Sequence, residues 1–422
     1  MALDSSDQKR HKPSTLLRLH TGEGADNPRH ATWLELFFDL VFVFAIAELA
    51  HLLHSHSDWA GIFTFALLFV PVWWLWIDFS YYADQFNVDR GPYRLVIFGV
   101  MFGIVVLALT VPDVVEGGSA NFAATYAALR LVIILLYMQA WRLVPQSREL
   151  TARYAISFSI AFLLWTISIA TPEPVRFWLW AIALTIEISN GPITYLTIRH
   201  VPQQESHMDE RFGLLVIIVL GEAIIAVATG VAGTNWQWQS VLAGAAGFLT
   251  AVSLWWMYFE RSDETTINQA LRGGRWALFL SYVYGYAHVF VFMGIVAAGV
   301  GVQFAIESFS GELFVAQQRT ILCGGIATFL MGATTLQWAS PNSLPKRVVV
   351  ARSLLTLFSL SLIPIGAFLS PLAIVVVMSL SLTALNKLDG IDVPDDSVRP
   401  GIDLSKANSD MDEHRANAYS SE

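Results

Sequence analysis

Between residues 33 and 386 the chain alternates long apolar runs with short polar breaks. A membrane-crossing helix needs about 20 mostly apolar residues. Runs of that kind fall at roughly 33–54, 59–80, 94–112, 121–141, 153–171, 175–197, 211–231, 239–260, 276–301, 317–338, 347–369 and 371–386. The pattern predicts an all-α polytopic membrane bundle of about twelve transmembrane helices. The last two runs are separated only by a break at Ser370-Pro371, so a re-entrant pair is an alternative there. Residues 1–31 are polar and have no apolar core, so they read as a cytoplasmic N-terminal segment and not as a cleavable leader. Residues 388–422 are rich in Asp, Ser and Asn and read as a disordered acidic cytoplasmic tail.

Basic residues set the orientation. With the N-terminus inside, only Arg176 and Arg319 fall on outer segments and Arg130 falls within a helix; the rest of the 25 Lys and Arg lie on inner segments. Both termini are then cytoplasmic. An internal repeat adds to this. Trp73-Trp74-Leu75-Trp76-Ile77-Asp78 aligns with Trp255-Trp256-Met257-Tyr258-Phe259-Glu260, and the same offset places Arg90-Gly91 on Arg272-Gly273 and Gly103 on Gly285. Six helices per half make this a parallel repeat, with a first membrane unit over 32–200 and a second over 201–387.

Composition agrees with a lipid environment. The chain is 55% hydrophobic and 14% charged, where a soluble domain carries about 25% charged residues. The single cysteine, Cys323, excludes an intrachain disulfide and a multi-cysteine metal site. No basic patch points to nucleic acid. The Trp clusters at 73–76 and 255–256 read as anchors at the membrane–water boundary.

The run Arg29-His30-Ala31-Thr32-Trp33-Leu34-Glu35-Leu36-Phe37-Phe38-Asp39-Leu40-Val41-Phe42-Val43 resembles the opening of the bacterial low temperature requirement A (LtrA) family. So do His207-Met208-Asp209-Glu210-Arg211-Phe212-Gly213-Leu214 with Leu220-Gly221-Glu222, and Tyr284-Gly285-Tyr286-Ala287-His288. The resemblance implies a multi-pass protein of the bacterial inner membrane and names no substrate. Phe38-Asp39-Leu40-Val41-Phe42 also resembles the Phe-Ser-Asp opening of a potassium-channel family with two six-helix halves, although Phe38 stands where that serine would be.

Ionisable groups inside a bilayer cost at least about 2.5–3.5 kcal/mol near its centre, so they line cavities or pair with each other. Two layers of them are expected. Glu35, Asp39, Asp78, Glu210 and Glu260 lie near the inner face, as a belt of ion pairs locking helix ends or as a cytoplasmic gate. Glu48, Arg130, Glu187, Glu222 and His288 lie near the midplane, on five helices, as a hydrogen-bonded network or as a solute or proton pathway. Arg130 cannot shed its charge, and Glu187 is its favoured partner. Asn190-Gly191-Pro192 should disturb the sixth helix and free backbone carbonyls beside Glu187. Gly99-x-x-x-Gly103 permits close helix contact. Glu48-x-x-His51 has no counterpart after Glu222, so no metal site is expected, and no cofactor or enzyme motif is found. The leading expectation is a secondary transporter of an unknown small solute or ion, with H+ as candidate coupling ion. Its site would lie at the midplane between the halves. A cation channel and a structural or stress-related membrane protein are the alternatives, and the oligomeric state is left open.

Overall fold

In hydrocarbon a backbone can satisfy its amides and carbonyls only within itself, so each apolar run has to be helical. The computed structural model describes residues 32–86, 91–198, 206–260, 275–308, 314–340 and 344–390. Among them are twelve long helices: α1 Trp33–Ser55, α2 Trp59–Gln85, α3 Gly91–Leu109, α4 Ser119–Leu143, α5 Arg148–Ala170, α6 Val175–Thr197, α7 Met208–Gly233, α8 Trp238–Phe259, α9 Arg275–Glu307, α10 Ala316–Ala339, α11 Lys346–Ile365 and α12 Pro371–Gly390. Eleven are long and apolar enough to cross a membrane, α11 and α12 both included. The remaining one, α6, has the length for it but holds Glu187, Asn190 and Pro192.

Residues 1–31, most of the tail, and the Arg90, Arg272 and Gly273 part of the repeat lie outside the described residues. The last helix continues to Gly390, with Asp389 buried.

Local chemistry sets the helix starts. Thr32 and Glu35 form a capping box on α1: the Thr32 amide donates to Glu35 Oε2 at 2.7 Å, and the Glu35 amide donates to Thr32 Oγ1 at 3.3 Å. Asp58 caps α2 by accepting from the Gly61 amide at 2.8 Å.

In the first six helices α1 packs on α2 and α3, α3 on α4, α4 on α5, and α5 on α6. In the second six α7 packs on α8 and α9, α9 on α10, α10 on α11, and α11 on α12. The two sets meet where α1, α2 and α6 pack against α9, and where α1 and α2 touch α7. The Trp cluster of α2 sits at this junction. Trp73, Trp74 and Trp76 are buried, so they are core residues and not boundary anchors, whereas Trp255 and Trp256 of α8 are 44% and 47% exposed. The two clusters differ because α2 is enclosed by neighbours on both sides of the junction.

The closest helix contact is α9 on α10, and glycines permit it. A Cβ added to Gly301 would lie 2.4 Å from Leu322 Cα; on Gly294 it would lie 2.5 Å from the Phe329 amide nitrogen, and on Gly325 2.7 Å from that of Ala298. Backbone meets backbone there, so neither helix can retreat. Within α10 the Thr320–Gly324 stretch is a π-helical turn, and the Cys323 carbonyl accepts from Ser359 of α11 at 2.8 Å. A second tie is Arg352 of α11, which donates to Asp389 of α12 and to Gln337 of α10 (2.7 Å); Gln337 in turn donates to the Met257 carbonyl of α8 at 2.9 Å.

These contacts predict opposite outcomes for two glycine substitutions. Gly301→Ala should lower the melting temperature of the purified protein in detergent, corresponding to roughly 1–3 kcal/mol of overpacking. Gly99→Ala, where an added Cβ meets nothing within 4 Å, should leave it unchanged. Fluorescence-monitored thermal unfolding of both variants checks this.

Candidate functional site

Arg130, on α4, is fully buried. Its Nη1 is paired with Asp78 of α2, and its Nη2 lies 2.7 Å from Glu187 Oε2 on α6. The same Nη2 donates to the Tyr126 hydroxyl at 2.5 Å. Tyr126 is one turn earlier on α4, so helical spacing places it beside the guanidinium. The Tyr126 and Phe158 rings stand 4.9 and 5.5 Å from the guanidinium carbon. Three helices are thus held to one cation. Glu187 is the partner expected from depth; Asp78 belongs to the layer assigned to the inner face.

Asp78 and Glu187 also line a narrow cleft. Arg130 is not among its lining residues. The guanidinium therefore does not border the space that Asp78 and Glu187 line. The cleft lies at the end of the bundle where α2 and α6 finish and α5, α7 and α9 begin. Its walls are rich in tyrosine, with Tyr154 on α5, Tyr195 on α6, and Tyr282 and Tyr286 on α9. Asp84 lines its outer part and is held by Ser206 Oγ (2.8 Å) and the His207 amide (2.8 Å), which lead into α7. Gln85 donates to the Tyr195 hydroxyl at 3.0 Å, joining α2 to α6.

Helix α6 runs through Pro192 without ending. Proline has no amide hydrogen, so the Ile188 carbonyl four residues earlier loses its helical donor. The Tyr286 hydroxyl of α9 donates to that carbonyl at 2.8 Å. The freed carbonyl beside Glu187 is present, then, without the helix breaking. Gly191 allows the approach, since a Cβ there would be 3.0 Å from the Tyr282 ring.

The other expected residues lie apart from this cluster. His288 is buried on α9, stacked on Phe212 with ring centroids 3.9 Å apart, and bonded to the Tyr258 hydroxyl (3.0 Å) and the Tyr284 carbonyl (2.9 Å). Glu48 and Glu222 are half-buried and lie outside the cleft. Of the five midplane groups, only Arg130 and Glu187 meet. In the inner layer, Asp39 pairs with Arg211 of α7 at 2.6 Å and accepts from the Trp76 indole at 2.7 Å. Glu35 caps α1, Glu210 lies in the first turn of α7, and Glu260 caps the exposed end of α8. The tyrosine wall and the Asp84 contacts were missed. A clue existed in the tyrosines, because six residues separate Asp78 from Asp84 and the tyrosines cluster near the same helix ends.

The charge cluster yields a test. Arg130→Ala leaves two buried carboxylates without their cation, a loss of about 3–5 kcal/mol, so folded yield after membrane extraction should fall sharply. Adding Asp78→Asn and Glu187→Gln to Arg130→Ala removes the uncompensated charge and should restore much of that yield. Size-exclusion profiles of the single and triple variants report the difference; equal profiles would show that the charges are not coupled.

Residues 30–385 match the family described as Bacterial low temperature requirement A protein (LtrA). An uncharacterized protein of Rhizobium meliloti (strain 1021) is 29% identical over 376 residues, covering 82% of this chain and 90% of its own length. No solved structure matches. The match extends across every described helix through α11 and most of α12, and the chain belongs to the bacterial low temperature requirement A protein family.

Proposed function

We propose that this protein is a secondary transporter of a small solute in the bacterial inner membrane, with both termini cytoplasmic and H+ as the candidate coupling ion. The observation that supports it most is the composition of the cleft. Helices α2, α4, α5 and α6 of the first half line it together with Ser206 and α9 of the second, and two buried carboxylates, Asp78 and Glu187, are among the lining residues. Transporter sites commonly lie between repeats, next to interrupted helices with freed carbonyls, and the Ile188 carbonyl fits that description. The repeated Trp-Trp motif supports the reading of two parallel six-helix units. With the proposed orientation the cleft opens toward the cytoplasm. A carrier fits better than an open channel, because the cleft ends on the Asp78–Arg130–Glu187 cluster.

Two measurements test the proposal. In vesicles reconstituted with the purified protein, a solute screen under an imposed pH gradient should find saturable uptake that falls at least tenfold in Glu187→Gln at equal protein content. Large single-channel currents in planar bilayers would replace the carrier with a channel, and absence of both flux and current would remove transport altogether. For orientation, a cysteine introduced at Ser6 or Ser420 in a Cys323-free background should resist an impermeant maleimide in intact cells. Labelling at either position would overturn the cytoplasmic assignment of that terminus.

A further inference from the structure

The lining of the cleft favours one class of ligand. Among the described residues three carboxylates line it, from Asp78, Asp84 and Glu187, and no Lys or Arg does. Arg130 balances part of the deep charge without bordering the cleft. Glu187 is 1% exposed and its Oε1 has no hydrogen-bond partner among the described residues. The Trp165 indole faces the same carboxylate without closing a hydrogen bond. A buried carboxylate oxygen of that kind is a strong acceptor for an N–H donor in a site of low polarity.

The rest of the lining is aromatic. Tyr282 and Tyr286 pack edge to face with centroids 5.8 Å apart, and Tyr195 packs on Tyr282 at 6.1 Å. Ring faces attract cations through their quadrupole, by about 0.5–2 kcal/mol each depending on desolvation. Tyrosine also tolerates an apolar substituent against its ring. A compact inorganic cation needs a full shell of oxygen ligands. Among the described residues no group of three or more His, Cys, Asp or Glu is placed to hold a metal ion.

We propose that the cleft binds a small organic ammonium ion, its N–H groups directed to Glu187 and its carbon substituents against the Tyr195–Tyr282–Tyr286 wall. This deepens the transporter reading by naming the solute class, and it is tested separately from flux. The assay is equilibrium binding to the full-length protein in detergent, by isothermal titration calorimetry. The probes are benzylammonium chloride, potassium chloride at matched ionic strength, and sodium benzoate as an anion of similar size. Saturable binding of benzylammonium is expected, with neither potassium nor benzoate competing at tenfold excess. Tyr282→Leu should weaken it about threefold to tenfold, and Tyr282→Phe, which keeps the ring, should recover most of that loss. Glu187→Gln should weaken it at least tenfold; if that variant does not fold, the Tyr282 pair decides. Tighter binding of benzoate, equal competition by potassium, or identical affinity in wild type and Tyr282→Leu would overturn the proposal. Binding without flux in vesicles would leave the ligand class standing and remove transport, whereas saturable uptake of an anion would do the reverse.

Discussion

A guanidinium buried in a membrane bundle keeps its proton and has to be met by acids on whatever helices surround it. Arg130 imposes that condition here. Because Asp78 comes from α2 and Glu187 from α6, satisfying one side chain fixes three helices of the first half relative to each other. Two acids to one base also leave the cluster formally negative. Both acids of the cluster border the cleft, and the guanidinium does not. The proposed preference of the site for positive charge would thus share its origin with the way the protein solves a folding problem.

Not every buried pair has this second consequence. Asp39 with Arg211 joins α1 to α7, and Arg352 with Asp389 joins α11 to α12. Both are enclosed by side chains: Arg211 stands 5.5 Å from the Trp76 ring, and Arg352 is also bonded to Gln337. Neither pair lines the cleft. Pairs of this kind bring stability only if both members remain, since the desolvation cost of each ion is offset by the other. Their position between helices suits a registering role at the junction of the halves and within the second half.

Much of the scaffold was legible because the bilayer reduces the choice of structure to helix length and apolar content. The pairing of Arg130 with Glu187 was legible too, from depth alone. Depth failed for Asp78. It lies near the end of the apolar run, yet α2 continues through a more polar stretch to Gln85, which puts the carboxylate farther inside than the run suggests. Depth also grouped Glu48, Glu222 and His288 with Arg130, and these lie apart from its cluster. It fixes a level in the membrane but not the azimuth around the helix, and weakly amphipathic helices give little azimuthal signal. The same loss of azimuth explains the Trp residues of α2: aromatic side chains near a helix end suit a lipid boundary and a helix junction equally well, and only the neighbours decide.

Pro192 shows how a local sequence defect becomes part of the site. Removing one amide leaves the Ile188 carbonyl facing α9, in a place where an unmet acceptor costs about 1–3 kcal/mol. Tyr286 meets it from the other half. The two halves are thus joined across the cleft by a hydroxyl that can exchange its acceptor, and not by close backbone packing as between α9 and α10. Separating α6 from α9 would require another donor for that carbonyl, and the neighbouring cleft is a space from which water or an N–H-bearing solute could supply one. Glycine at 191 keeps the space between the two helices narrow enough for one hydroxyl to span it, so a sparse contact between the halves coincides with the lining of the cleft.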